Sequence, residues 1–503
     1  MRTLSCLILF LWLASLPAYA QNDASIWYFG TKAGVDFRKG NPIALLDGEV
    51  VTEEGVATIA DKAGKLLFYT DGIRVYNAKH QVMPNGTNLK GHPSSTQSGV
   101  VVAKIGAPNQ YYLFTITATA GVDGLCYSVV NMDLQAGLGD VEASLKNTLL
   151  ATPVTEKLTA VRHRNQKDTW VIAHEWKTNK FLAYAITATG ITTTPVISQT
   201  GAIHQGADLN AQGYLKANPD GTNLALALEN DQVVELFDFD NATGKVSQPI
   251  RLQLEAGAYP YGVEFSPNGS LLYVSAAGVG KVYQYNLQTL PADSIVGTRI
   301  EVGKTEKGEW IGSLQLAPDG KVYFPIYNTK FLGVINAPNI RGVDCKYQNN
   351  AVALITGVAK LGLPTFNQSF FEEKISSSTT QSFDDKTIKL GEKFILKNVH
   401  FDYALYSLQP ISYTELDKLA NYLQQNPTRH IMLMGHTDNI GNKSSNITLS
   451  LNRAQAVKAY LVGKKIIESR ISFEGFGSGL PIATNDTNEG RATNRRVELV
   501  ISK

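Results

Sequence analysis

The chain has 503 residues, and one domain takes roughly 100–200, so two or more folding units are expected. Hydrophobic residues make up 44% and charged residues 18%, which excludes a disordered chain and leaves ample material for large cores. Lys+Arg 46 against Asp+Glu 44 gives a formal charge of +2, without the basic excess of a general nucleic-acid binder.

The first predicted element is a secretory signal peptide, residues 1–20. Arg2 precedes the apolar run Leu7-Ile8-Leu9-Phe10-Leu11-Trp12-Leu13-Ala14, and Pro17 leads to Ala18-Tyr19-Ala20, a small-x-small cleavage site. The alternative, a retained membrane anchor, needs about 18–20 apolar residues. No later run is long and apolar enough to span a bilayer as a helix, so the mature chain is expected to be exported and to lack a transmembrane segment. Cys6 lies ahead of the apolar run and so is not the lipidated residue of a lipoprotein. Cys126 and Cys345 remain, without CxxC or zinc-ligand spacing; they are expected to be small buried hydrophobes, with a disulfide between them left open.

Residues 22–371 carry a recurring turn flanked by strand-like runs. It reads Asp61-Lys62-Ala63-Gly64, Asn218-Pro219-Asp220-Gly221, Ser266-Pro267-Asn268-Gly269 and Ala317-Pro318-Asp319-Gly320, with weaker copies at Ala107-Pro108-Asn109-Gln110 and Asn165-Gln166-Lys167-Asp168. Taken at positions 64, 109, 167, 221, 269 and 320, the intervals are 45, 58, 54, 48 and 51. Pro-Asp-Gly and Pro-Asn-Gly supply tight-turn backbone angles, and alternating β-branched and aromatic residues supply the strands. A period near 50 made of strands predicts an all-β propeller. A pair of β-sandwiches, the alternative, would leave the regular interval unexplained. Six repeats are visible, and residues 26–48 with 351–371 amount to about one more. A seventh, composite blade is therefore expected, in which the two ends of the domain meet.

The segments Trp27-Tyr28-Phe29-Gly30, Glu53 to Asp61, Leu67 to Gly72, Asn77 to Gly86 and Gly91 to Ser98 resemble the propeller region of exported Bacteroidetes envelope proteins. That resemblance implies an association with gliding motility or type IX secretion, and it implies a lineage more than an activity. Among reactive groups, His80, His92, His163, His174 and His204 stand out, and His163 and His174 flank a predicted hairpin turn where they would face each other. Two histidines leave a Zn²⁺ short of ligands, so no metal site is assigned. The run Ser94-Ser95-Thr96 is expected to tie down a loop by bonds to backbone. No Gly-x-Ser-x-Gly elbow or His-Glu-x-x-His helix is present. Tyr- and Asn-bearing loops suit binding of an envelope protein or a glycan.

Residues 372–387, rich in Ser and Thr, are expected to be a flexible linker that lets the two domains move independently. Residues 388–503 switch to alternating strands and helices, a small α/β unit. Strands are predicted at Phe394 to Phe401, His430 to Met434, Ile471 to Gly475 and Arg496 to Ile501. One helix opens at Pro410 with Ile411, Leu416, Leu419, Ala420 and Leu423 inward; another runs from Thr448 to Val462 with Leu449, Ala456, Val457 and Leu461 inward.

The motifs Gly435-His436-Thr437-Asp438-Asn439-Ile440-Gly441, Asn446, Arg453-Ala454, Gly475-Phe476-Gly477 and Asn494-Arg495-Arg496-Val497-Glu498 resemble the OmpA-like peptidoglycan-binding domain. The resemblance implies a non-enzymatic domain that binds the diaminopimelate of peptidoglycan stem peptides, with no cofactor or metal. It places the protein in the periplasm, attached to peptidoglycan and associated with the outer membrane. The matching positions are Asp438 and Arg453, supported by Thr437 and Asn446, with Arg495 a further carry-over. Diaminopimelate ends carry an ammonium and a carboxylate on one carbon, so one acid and one base side by side would grip them, the guanidinium through two parallel bonds. The alternative is that Asp438 and Arg453 merely pair with each other; His436 is expected to order the loop. A rival class, a wall-tethered propeller hydrolase or lyase, predicts clustered acids or histidines at the propeller's central mouth.

Overall fold

The computed structural model describes residues 22–287, 292–372, 391, 393–401, 405–485 and 487–502. The expected signal peptide, and the expected linker beyond Glu372, lie outside the described residues.

Between residues 26 and 353 the chain is almost entirely β and folds into seven small antiparallel sheets taken in chain order. Their first strands are Ile26–Phe29, Ala57–Ala60, Gly99–Ala103, Val154–Arg162, Leu215–Ala217, Pro260–Phe265 and Gln315–Leu316. Each of the six repeated turns joins the first and second strands of one sheet, from the second sheet to the seventh. The turns close as their composition dictates: Gly221 N–H donates to the Asn218 carbonyl at 2.9 Å with φ +72°, a conformation that costs glycine nothing.

Burial falls from the inner to the outer strands. All six residues of Leu271–Ala276 are buried, so both faces of that strand are covered, whereas most of Lys245–Gln253 is exposed. Only a stack of sheets covers both faces of a strand, and successive first strands do lie side by side. The seventh sheet shares a core with the first: Tyr323 packs 6.1 Å from Trp27 and 5.3 Å from Phe37.

The expected composite sheet does not form. The first sheet is built from Ile26–Phe29, Ala33–Asp36 and Ile43–Leu45 alone, and Tyr347–Ala353 completes the seventh. Residues 354–371 instead cross the first strands. Thr31 and Val358 exchange two backbone bonds (2.9 and 3.0 Å); Leu361 N–H donates to Glu53 O (2.9 Å), Thr365 N–H to Val56 O (2.8 Å) and Arg162 N–H to Ser369 Oγ (2.9 Å). Gly357, Gly362 and Pro364 interrupt any continuous ladder there, and Leu363, Phe366 and Gln368 are buried. Gly362 has to be glycine, because a Cβ would fall 1.8 Å from the Glu54 carbonyl oxygen.

The C-terminal sheet has the order Lys393–Ile395, Val497–Ser502, His430–Gly435, Ile471–Gly475, the last pair parallel. A parallel pair needs a crossover, supplied here by helix α2 (Lys443–Gly463). With α1 (Tyr413–Gln425) it covers one face, over a core of Leu416, Leu419, Leu423, Ile431, Leu433, Val457 and Leu499. Ile411 belongs to a 3₁₀ turn before α1 and is 63% exposed, not inward as expected. Helix α2 begins five residues before Thr448, where the Asn442 side chain accepts from Ser445 N–H at 2.8 Å. Its buried stripe is Asn446, Ser450, Arg453, Ala454, Val457 and Leu461, so Leu449 and Ala456 are only half-buried. The two domains touch where half-exposed Lys443 donates to Asn223 Oδ1 at 2.7 Å, a contact worth only about 0–1 kcal/mol.

Candidate functional site

The strand His430–Gly435 delivers the loop that carries the predicted motif. His436 N–H donates to Arg496 O (2.9 Å) and Thr437 N–H to Gly477 O (2.8 Å), which pins the loop to both neighbouring segments. The His436 ring is buried, stacks 5.3 Å from Phe476 and has Nε2 3.6 Å from Glu498 Oε2. Burial pushes His436 down to about 4, so it is neutral at pH 7. Burial opposes ionisation of Glu498, but its partners hold it down at about 2, and Arg496 donates to it at 2.6 Å.

Asp438 follows at the strand's end. Its Oδ1 accepts from Ile440 N–H (3.1 Å) and its Oδ2 from Arg495 Nη1 (2.6 Å). Thr437 Oγ1 and Asn446 Nδ2 both donate to the Asp438 carbonyl, at 2.9 and 3.3 Å, so these two residues shape the loop backbone. Arg453 lies seven residues after Asn446, two helical turns on the same face. It is buried, donates Nε–H to Leu405 O at 3.1 Å, and sits 5.0 Å over the Phe401 ring. Burial, then the Arg495 charge, pulls Arg453 down to about 10, while Asp438 opposes the shift.

Asp438, Arg453 and Arg495 thus form one charge cluster, with Thr437 and Asn446 beneath it. The carboxylate pairs with Arg495; the structure contains no Asp438–Arg453 ion pair. Phe401 and Leu405, which fix Arg453, carry no signal in the sequence as site residues, since a backbone carbonyl leaves no trace in residue type.

The N-terminal histidines do not converge as expected. His163 stacks on Trp170 (5.4 Å), whereas His174 stacks on His204 at 3.6 Å, both fully buried. His80 bonds Tyr69 through Nδ1 (3.2 Å), and His92 Nδ1 accepts from Ser94 N–H (3.1 Å). Among the described residues no group of three or more His, Cys, Asp or Glu could hold a metal ion. Cys126 and Cys345 are buried and unpaired.

A buried acid pair went unread in the sequence. Thr96 Oγ1 lies 2.8 Å from Glu156 Oε2 and 3.2 Å from Glu54 Oε2, and Ser94 donates to Glu54 at 3.1 Å. The Ser/Thr run therefore ties its loop to carboxylates as well as to backbone. Tyr261 also donates to Glu54 (2.8 Å), and the segment 361–365 runs past Glu53–Val56. Both acids are buried, Glu156 fully and Glu54 at 7% exposure.

Residues 400–495 match the OmpA family, and this part of the chain is an OmpA family domain. The chain is 46% identical over 118 residues to outer membrane protein A of Bordetella avium, covering 23% of this chain and 61% of that protein. It is 44% identical over 96 residues to peptidoglycan-binding protein ArfA of Mycobacterium tuberculosis, covering 19% of this chain and 29% of that protein. It thus spans less than two thirds of these curated relatives. A crystal structure of the peptidoglycan-associated lipoprotein from Burkholderia pseudomallei is 33% identical, covering 21% of this chain and 88% of that one, with a TM-score of 0.20. Among the described residues no helix is long and apolar enough to cross a membrane.

Proposed function

We propose that this protein is a non-enzymatic envelope anchor whose C-terminal domain grips the diaminopimelate of peptidoglycan. The observation that carries the reading is the gathering of one acid and two guanidiniums at the end of a central strand. There Asp438 would accept from the ligand's ammonium, and Arg453, whose Nε is held by the Leu405 carbonyl, would donate a pair of bonds from its remaining nitrogens to the ligand's carboxylate. Thr437 and Asn446 hold the Asp438 backbone in place. The relative named for peptidoglycan binding, ArfA, supports the ligand class, and with outer membrane protein A it supports a periplasmic, wall-attached location.

We further infer that the seven sheets close into a propeller, with residues 361–371 along its axis. The propeller would present its loops to another envelope protein or a glycan, with a secretion or gliding component as the candidate that the lineage suggests. The burial of Glu54 and Glu156, whose oxygens are held by Ser94, Thr96, Thr119 and Tyr261, favours a structural role for that pair over hydrolysis.

Co-sedimentation of the full chain with purified sacculi tests the anchor. Charge-assisted bonds contribute about 1.5–3 kcal/mol each, so Asp438→Ala and Arg453→Ala should each lower retention by roughly 10- to 150-fold in affinity. Wild-type retention of both variants would remove this site from the function.

A further inference from the structure

Resting on that reading, we propose that Arg495 is a displaceable internal occupant of the site: its guanidinium stands where the ligand's ammonium binds, and it must leave Asp438 before a stem peptide is gripped. The acceptors around Asp438 are already engaged. Oδ1 takes the Ile440 N–H, the carbonyl takes Thr437 and Asn446, and Oδ2 takes Arg495 at 2.6 Å. The Asp438 side chain is 13% exposed and its Arg495 partner 43%, so the more accessible member of the pair is the arginine.

The two arginines are not equivalent. Arg453 is 4% exposed and fixed by the Leu405 carbonyl and the Phe401 ring. The Arg495 side chain is 43% exposed, and among the described residues its guanidinium bonds to Asp438 alone. It follows the seven-residue helix α3 (Asn488–Asn494), so a change of rotamer takes its charge into water without moving the sheet. An ammonium arriving while Arg495 stayed would have to share the single Asp438 carboxylate with it, since the ligand's own carboxylate goes to Arg453. Exchange of Arg495 for the ammonium gives each charge one partner, Asp438 to the ammonium and Arg453 to the carboxylate. The device also discriminates: a lone amine only replaces one cation by another, whereas a ligand with both charges gains the Arg453 contact.

The test is calorimetric titration of the full chain with meso-diaminopimelic acid. Removing a partly exposed competing pair should tighten binding by R495Q roughly 2- to 5-fold, and R495K, which keeps the competing charge, should return the weaker affinity. In wild type, the ¹⁵N guanidinium signal of Arg495 should move toward that of free arginine during the titration while Arg453 becomes protected. Weaker or unchanged binding by R495Q, with D438A still losing the ligand, would overturn the gating role and leave the anchor standing. An unmoved Arg495 signal at saturation would overturn it too, even if R495Q failed to fold. Wild-type binding by D438A would remove the site itself.

Discussion

Thr96 Oγ1 has one hydrogen to give, yet it lies within 3.2 Å of oxygens from both Glu54 and Glu156 while accepting from Gly213 N–H. A proton on one of the two carboxyls would supply the donor that the second contact lacks. Burial, then the neighbouring Glu156 charge, pushes Glu54 up to about 8, which makes Glu54 the protonated partner at neutral pH. A carboxyl raised in the folded state stabilises fully below its unfolded pKa of roughly 4.3, and that contribution is lost as pH rises through about 8. Glu54→Gln keeps the shape and one acceptor oxygen, puts a donor amide where the other oxygen was, and has no proton to lose. The melting temperature of wild type relative to Glu54→Gln should therefore fall between pH 5 and 8.5. Parallel profiles would show that the pair shares no proton. His436 works in the opposite sense: it is held neutral, so its contribution is full above the unfolded value near 6.5 and is lost as pH falls through about 4. Hydrogen exchange of the C-terminal sheet should accelerate over that acid window, and His436→Gln should flatten the change.

The segment 354–371 acts as a pin across the first strands, and its residues 362–369 are buried. Phe366 packs 6.0 Å from Trp27 and 5.8 Å from Phe371 and is 2% exposed. Phe366→Ala should cost about 3–5 kcal/mol in chemical denaturation of the N-terminal transition. A cost within about 0.5 kcal/mol, as for a surface position, would mean that the segment is not part of the core. Three of the six turns were legible in sequence because Pro-Asn-Gly and Pro-Asp-Gly set their own backbone angles locally, and the other three copies were found by their spacing from these. The pin was not: its partners lie as far away as Thr31 and Arg162, and no local pattern announces a close approach such as Gly362 to Glu54. The same division holds at the candidate site. The resemblance to the OmpA-like domain carried Asp438, Arg453, Thr437, Asn446 and Arg495, but the choice of Arg495 over Arg453 as partner of Asp438 is set by burial, which fixes one guanidinium and frees the other. Polar residues on the inner face of α2 misled the helical pattern for the same reason, since Asn446, Ser450 and Arg453 face inward to build the loop and the site.

At the scale of the whole molecule, the proposed anchor would set one modest site per chain against a polymer that repeats its ligand. Release from one stem would then be followed by capture at the next, so retention on a sacculus should exceed affinity for the free amino acid. On the same proposal, selectivity rests on two charges being read together. Peptidoglycan with lysine in place of diaminopimelate offers the ammonium at the side-chain end but no carboxylate beside it. Asp438 would keep its partner and Arg453 would lose its own, forfeiting one charge-assisted contact of about 1.5–3 kcal/mol, or roughly 10- to 150-fold in affinity. Full-length protein should accordingly pellet with diaminopimelate-type sacculi and remain mostly in the supernatant with lysine-type sacculi at the same mass of wall. The difference should narrow in Arg453→Ala, which reads no carboxylate on either wall. Equal pelleting of wild type on the two walls would show that the buried guanidinium of Arg453 serves the fold of the loop around Leu405 and takes no part in recognition.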